Sequence, residues 1–141
     1  MYHQYFLEMK EFEPEHHFTN EQLKEIVDNL ARCIELLEKV EGQMKSGIFN
    51  LPFMSDDLSE SWLECNKARI HTEKVGYIEE IIQPTMGTIH DAKTMLDSLL
   101  GWHLGMTRPA HNAICQCLST ARYSLHMVAD EVVSWMTGEN E

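Results

Sequence analysis

Residues 19–47 have the sequence TNEQLKEIVDNLARCIELLEKVEGQMKSG, which carries the clearest structural signal in the chain. Its apolar side chains recur every three or four residues, the spacing that places them on one face of a helix. These residues are Leu23, Ile26, Val27, Leu30, Ile34, Leu37, Val40 and Met44. Thr19 and Gln22 have the spacing of a capping box, and Gly47 suits the end of a helix. We therefore predict an amphipathic helix between Thr19 and Gly47.

The sequence also predicts the second helix of the chain and the last one. The second begins at Ser55, and its apolar residues spread over more than one face. The last begins near Pro109, a residue favoured in the first turn of a helix, and ends at Gly138. Its apolar residues alternate every three and four positions from Ile114 to Trp135.

The segment QPTMGT at residues 83–88 is predicted to separate the second helix from a third. One helix through residues 57–104 would be about 70 Å long, out of proportion to a domain of this size. Pro84 and Gly87 are therefore expected to form a turn or a hard kink. Thr88 and Asp91 then have the spacing of a capping pattern at the start of the third helix.

Residues 1–18 are predicted to form an amino-terminal amphipathic arm and a linker, followed by a helical bundle over residues 19–138. The arm has apolar residues at helical spacing, and a helix this short needs a surface to pack on. That surface is either its own bundle or a second copy of the chain. The predicted self-association residues are Tyr2, Tyr5, Phe6 and Met9. The expected fold is all-α, an antiparallel four-helix bundle with a short N-terminal helical arm.

Composition restricts the classes of function. The chain has 141 residues and a formal net charge of −12, which disfavours direct nucleic-acid binding and binding to anionic membranes. No apolar run approaches the ~18 residues of a membrane span, and no basic, apolar leader begins the sequence. The four cysteines form no C-x-x-C motif. We therefore expect a cytoplasmic protein with reduced thiols.

Catalytic motifs are missing from the sequence. It contains no P-loop, no glycine-rich dinucleotide fingerprint, no G-x-S-x-G and no H-E-x-x-H. The Glu-x-x-His pairs of di-iron bundles are not repeated on two helices. The sequence therefore predicts a protein that is not an enzyme and has no cofactor.

The last helix carries the best chemical constellation. His111, Cys115, Arg122 and His126 fall within about 60° of one another on the flank of its apolar stripe. The simpler interpretation is a core helix with a polar edge. The alternative is a metal- or cofactor-binding bundle that uses His111, Cys115 and His126 with histidines of neighbouring helices.

Residues 46–57, SGIFNLPFMSDD, are unusually apolar for a connection. Two interpretations stay open: the segment folds over the end of the bundle core, or it forms a contact patch for a partner. The acidic residues after it have two interpretations as well, stabilisation of a helix start or a partner-binding surface. The predicted partner-binding residues are Phe49, Phe53, Asp56, Asp57, Glu60, Glu64, Glu79 and Glu80.

The function predicted from the sequence is that of a non-catalytic regulator or inhibitor. Its acidic surface would bind a basic, nucleic-acid-binding partner protein, and phage inhibitors of bacterial defence are one class that fits. Its surplus apolar groups also favour a homodimer. A structural protein that assembles only with itself is a third class.

Overall fold

The computed structural model describes residues 17–137, which form four α-helices and contain no β-strand. The helices are α1 (Asn20–Ser46), α2 (Leu51–His71), α3 (Gly76–Gly101) and α4 (Arg108–Thr137). The prediction of an all-α four-helix bundle is confirmed. The arm, with Tyr2, Tyr5, Phe6 and Met9, lies outside the described residues. Between residues 17 and 137, no helix combines the length and hydropathy that a membrane span requires.

The four helices pack in a ring around one core. Each helix contacts the next along the chain, and α1 also contacts α4. Because the connections are short, consecutive helices run antiparallel. Loops 47–50 and 102–107 therefore lie at the same end of the bundle. At that end, His111 of α4 contacts the carbonyl of Met44 in α1, and Ser55 of α2 bonds to Asp97 of α3.

Helix α1 begins and ends as its sequence predicts. The hydroxyl of Thr19 accepts a hydrogen bond from the Gln22 backbone N–H at 3.1 Å, and the Gln22 side chain accepts one from the Thr19 N–H at 2.8 Å. This is the reciprocal capping box. Gly47 closes the helix with φ at 77°, a left-handed conformation that glycine adopts without a steric cost. Every apolar residue of the predicted stripe except Val27 is buried.

The prediction of a turn at residues 83–88 is wrong. Pro84 lies inside α3, and the chain turns earlier, at Thr72–Val75. Pro84 is on the exposed side of α3, where water can hydrogen-bond to the backbone carbonyl that proline leaves without a donor. The buried row of α3 runs past it without a change of phase, and the Thr88 hydroxyl donates to the Pro84 carbonyl instead of capping a new helix.

Helix α2 begins at Leu51, four residues before the predicted Ser55. The Asn50 side chain accepts a hydrogen bond from the Phe53 N–H at 3.4 Å, and Pro52 occupies the first turn. The helix buries Leu51 and Met54 in the core. The apolar character of this segment thus belongs partly to a helix and only partly to a loop.

The opposite end of the bundle is closed around a buried carboxylate. Glu131 is buried, and its Oε2 accepts hydrogen bonds from the Tyr77 hydroxyl at 2.9 Å and from the Trp135 indole N–H at 3.0 Å. The Trp135 ring stacks on Phe18, with ring centroids 5.9 Å apart. These contacts join α3, α4 and the residue that precedes the cap of α1.

Candidate functional site

The best constellation of the sequence contains one direct contact, between His111 and Cys115. The Cys115 Sγ lies 3.7 Å from His111 Nδ1, and His111 Nε2 lies 3.0 Å from the Met44 carbonyl oxygen. Because a carbonyl only accepts, Nε2 carries the proton and donates to Met44. In the neutral ring, Nδ1 is then the acceptor for the Cys115 thiol. This geometry joins α4 to the carboxyl end of α1.

The Cys115 thiol is not activated as a nucleophile. Burial and the negative charge of Glu41 raise its pKa, and the positive charge of Lys45 opposes them only in part. The thiol therefore stays protonated near neutral pH, whereas covalent catalysis requires a thiolate. Its contact with His111 lies within α4, and His111 in turn bonds to the Met44 carbonyl of α1.

The other members of the constellation do not join this pair. The Arg122 Nε donates to Glu41 Oε1 at 2.6 Å, which ties α4 to α1 and raises the pKa of the guanidinium. His126 is exposed to solvent. Among the described residues, no group of three or more His, Cys, Asp or Glu side chains is placed to hold a metal ion. The metal-binding alternative thus rests on the His111–Cys115 pair.

The structure also brings together two cysteines, a pairing that the sequence spacing could not predict. Cys33 of α1 and Cys65 of α2 are both buried and free, and the two thiols interact. This interaction and burial raise the pKa of the Cys33 thiol far above its ordinary value. The pair is 32 positions apart in the chain, so only the packing of α1 on α2 brings it together.

Alkylation of the native protein is expected to separate the cysteines into two classes. Cys115 and Cys117 are half-exposed and should react slowly near neutral pH, because burial raises the pKa of both thiols. Their reaction should accelerate as the pH rises above the ordinary range for cysteine. Cys33 and Cys65 should be protected more than about 100-fold, since the core must open first. Mass spectrometry of iodoacetamide-treated protein, native and denatured, measures this difference. Equal labelling of all four in the native protein would contradict it.

The predicted acidic partner-binding residues are largely engaged within the chain. Ion pairs between described residues join Asp57 to Lys39 at 3.4 Å, Glu60 to Arg32 at 3.2 Å, Glu64 to Lys67 at 2.8 Å, and Glu79 to Arg69 at 3.4 Å. Asp56 and Glu80 are exposed. Three of the four predicted carboxylates on α2 are therefore offset by a basic residue of the same chain. The role of these residues in partner binding stays a prediction.

Part of the apolar segment around Phe49 covers the end of the core, and part of it is exposed to solvent. Phe49 is half-buried, and its ring packs edge-on against His111 with centroids 5.9 Å apart. It covers the end of the core together with Leu51 and Met54. Ile48 and Phe53 instead point outward, with 79% and 64% of their surfaces exposed.

The end of the bundle that carries loops 47–50 and 102–107 also exposes residues that the sequence did not single out. Trp102 is 76% exposed and Leu104 is 53% exposed. We call the surface formed by Ile48, Trp102 and Leu104 the apolar end. Residues 42–55 and 98–129 contain no aspartate or glutamate, although the chain has 23 of them. The two loops that form the apolar end thus carry no acidic residue in an acidic protein.

Comparisons with protein-family models, with curated proteins and with solved structures gave no match for this chain.

Proposed function

We propose that this protein is a non-catalytic regulator or inhibitor that acts by binding another protein, with the apolar end as its contact surface. The exposure of Ile48, Trp102 and Leu104 at one end of a bundle with a complete core is the observation that carries the proposal. Two loops bring these three large, exposed apolar side chains to the same end of the bundle, and exposed apolar surface that is grouped in this way marks sites of interaction.

The composition of the apolar end suits a protein contact. Tryptophan is enriched among the residues that dominate binding energy, because it buries a large area with few rotatable bonds. Each Å² of apolar surface removed from water contributes about 25 cal/mol before the costs of association. Because no carboxylate lies in residues 42–55 or 98–129, a partner that covers these loops does not have to desolvate a carboxylate of theirs.

The charge of the remaining surface favours a basic partner. The described residues contain 17 aspartates and glutamates against 10 lysines and arginines. A field of this sign accelerates encounter with a positively charged protein, and salt screens the effect. We propose that the acidic surface raises the rate of association with a basic, nucleic-acid-binding partner. The association rate should then fall as salt is added.

Two leucines of nearly equal exposure provide a test of the contact surface. Leu104 at the apolar end is 53% exposed, and Leu63 on the outer side of α2 is 54% exposed. The full chain is used as bait in extracts of its host. The amount of partner captured by Leu104→Asp should be at least about tenfold lower than that captured by the wild type, because the new charge would be buried in the contact. Leu63→Asp is the matched control and should retain it.

The measurement is quantitative mass spectrometry of the captured proteins, with circular dichroism to show that both variants are folded. Equal capture by wild type and Leu104→Asp would place the contact elsewhere. Loss of capture with Leu63→Asp alone would assign it to α2. Capture that does not depend on salt would contradict the electrostatic part of the proposal.

A further inference from the structure

Helix α2 has apolar residues on two opposite sides. Its inward side is buried in the core through Leu51, Met54, Leu58, Cys65 and Ala68. On its outward side, Phe53, Leu63 and Ile70 are 64%, 54% and 51% exposed. Asp56, Glu60 and Lys67 stand between them. Together these six positions alternate by three and four residues, which places them in one line along the helix. We call this line the outward row.

An apolar groove adjoins the middle of the outward row. It lies between α2 and α3, has a volume of about 430 Å³, and is lined by Leu58, Trp62, Leu63 and Ile89, with His90 and Lys93 beside them. Leu63 belongs to both the groove and the row. The exposed apolar surface of α2 is therefore continuous with that groove and suits a helix packed across it.

Four of the six positions of the outward row meet a complementary residue when the row is reversed. We propose that two copies of the chain associate through α2, antiparallel, about a two-fold axis midway between Glu60 and Leu63. In that register Phe53 faces Ile70 of the partner subunit, and Asp56 faces Lys67 of the partner subunit, each at two equivalent places. At the axis Glu60, which is paired with Arg32 of its own chain, lies beside Leu63 of the partner subunit. The outer pairs are therefore apolar against apolar and acid against base, and the central pair is not matched. Such an isologous contact closes on itself.

Charge selects this orientation over the parallel one. In a parallel pair Asp56 would face Asp56 of the partner subunit, and like charges placed together oppose binding. Asp56 and Lys67 are both exposed in the single chain. Lys67 contacts Glu64 at 2.8 Å, but its ammonium group has three donors and can serve a second carboxylate. Glu60 is already paired with Arg32 on its own chain.

The extent of the row matches a helix-on-helix contact. Phe53 and Ile70 are 17 positions apart, which corresponds to about 25 Å along a helix. Two α2 helices packed in this way would lie about 8–10 Å apart. The contact is separate from the apolar end, so it stands whether or not the proposed function is correct.

Charge reversal at the two polar positions tests the proposal. Sedimentation of the full chain over a range of concentrations should show a dimer, and Asp56→Lys and Lys67→Glu should each raise the dissociation constant at least about tenfold, because each change creates two repulsive contacts. An equimolar mixture of the two variants should recover the dimer, since the new base of one meets the new acid of the other. The double variant D56K/K67E should also dimerise.

Each result has a defined meaning. Because both positions are exposed, the variants should keep the helical circular dichroism of the wild type. A chain that stays monomeric at all concentrations overturns the proposal, as does a dimer that neither reversal weakens. Weakening by both variants without recovery in the mixture overturns the antiparallel register. Leu104→Asp should leave the mass unchanged, which separates this contact from the apolar end.

Discussion

Leu58→Asp is expected to unfold the protein. Leu58 is fully buried on the inward side of α2. The change removes about 1.5–3 kcal/mol of apolar burial and places a carboxylate without a partner in the core. The combined loss should exceed about 5 kcal/mol, which is comparable with the whole stability of a typical domain. Circular dichroism during denaturant titration measures the free energy of unfolding.

Leu63→Asp is the matched control for that experiment. It makes the same substitution five positions later on α2, at a side chain that is more than half exposed. Its free energy of unfolding should stay within about 0.5 kcal/mol of the wild type, because the Leu63 side chain is more than half exposed and is not part of the buried core. The comparison should be made at a concentration where both proteins are monomeric. Similar losses in the two variants would show that the sides of α2 are assigned incorrectly.

Trp135→Ala is expected to destabilise the end of the bundle near the amino terminus of α1. Trp135 is buried, its ring stacks on Phe18, and its indole N–H donates to Glu131. Replacing a buried tryptophan by alanine costs about 3–5 kcal/mol, since a cavity remains. The loss of the indole donor also leaves the buried Glu131 carboxylate with one hydrogen bond fewer.

Trp102→Ala at the opposite end provides the comparison. Trp102 is three-quarters exposed, so its removal should change the free energy of unfolding by less than about 0.5 kcal/mol. Thermal and denaturant unfolding of both variants measure the difference. A loss at Trp102 as large as that at Trp135 would mean that the apolar end belongs to the folded core and is not a free contact surface.

Local patterns predicted much of the architecture. The Thr19–Gln22 capping box and the apolar stripe that follows it depend on residues within a few turns of one another, and the structure has both. The last helix is likewise readable from its regular alternation. Such features are local, so they need no knowledge of which helices become neighbours.

The predicted turn at residues 83–88 was wrong because tertiary packing outweighed the local signal of Pro84. An interior proline costs a helix about 3 kcal/mol, which made residues 83–88 the natural place for a turn. The buried row of α3, which includes Ile82 and Ile89, extends across this position, and the burial of such side chains is worth more than the local cost. Tertiary packing therefore moved the turn to Thr72–Val75.

In the candidate sites, too, local spacing predicted some contacts and tertiary packing decided the others. The spacing of His111 and Cys115 predicted that they would be neighbours, but only the packing of α4 on α1 gives His111 its bond to the Met44 carbonyl. The pairing of Asp57 with Lys39 and of Glu60 with Arg32 depends on α2 lying beside α1. Because of these ion pairs, Asp57 and Glu60 contribute to the contact between α1 and α2.

The sequence alone determined that the chain is all-α, where the first and last helices lie, that the chain carries an excess of acidic residues and that it lacks known catalytic motifs, because each of these depends on composition or short-range periodicity. The tertiary structure decides which carboxylates are neutralised, that Cys33 meets Cys65, and that Ile48, Trp102 and Leu104 gather at one end. These features join residues far apart in the chain, and their positions follow from how the helices minimise exposed apolar surface together.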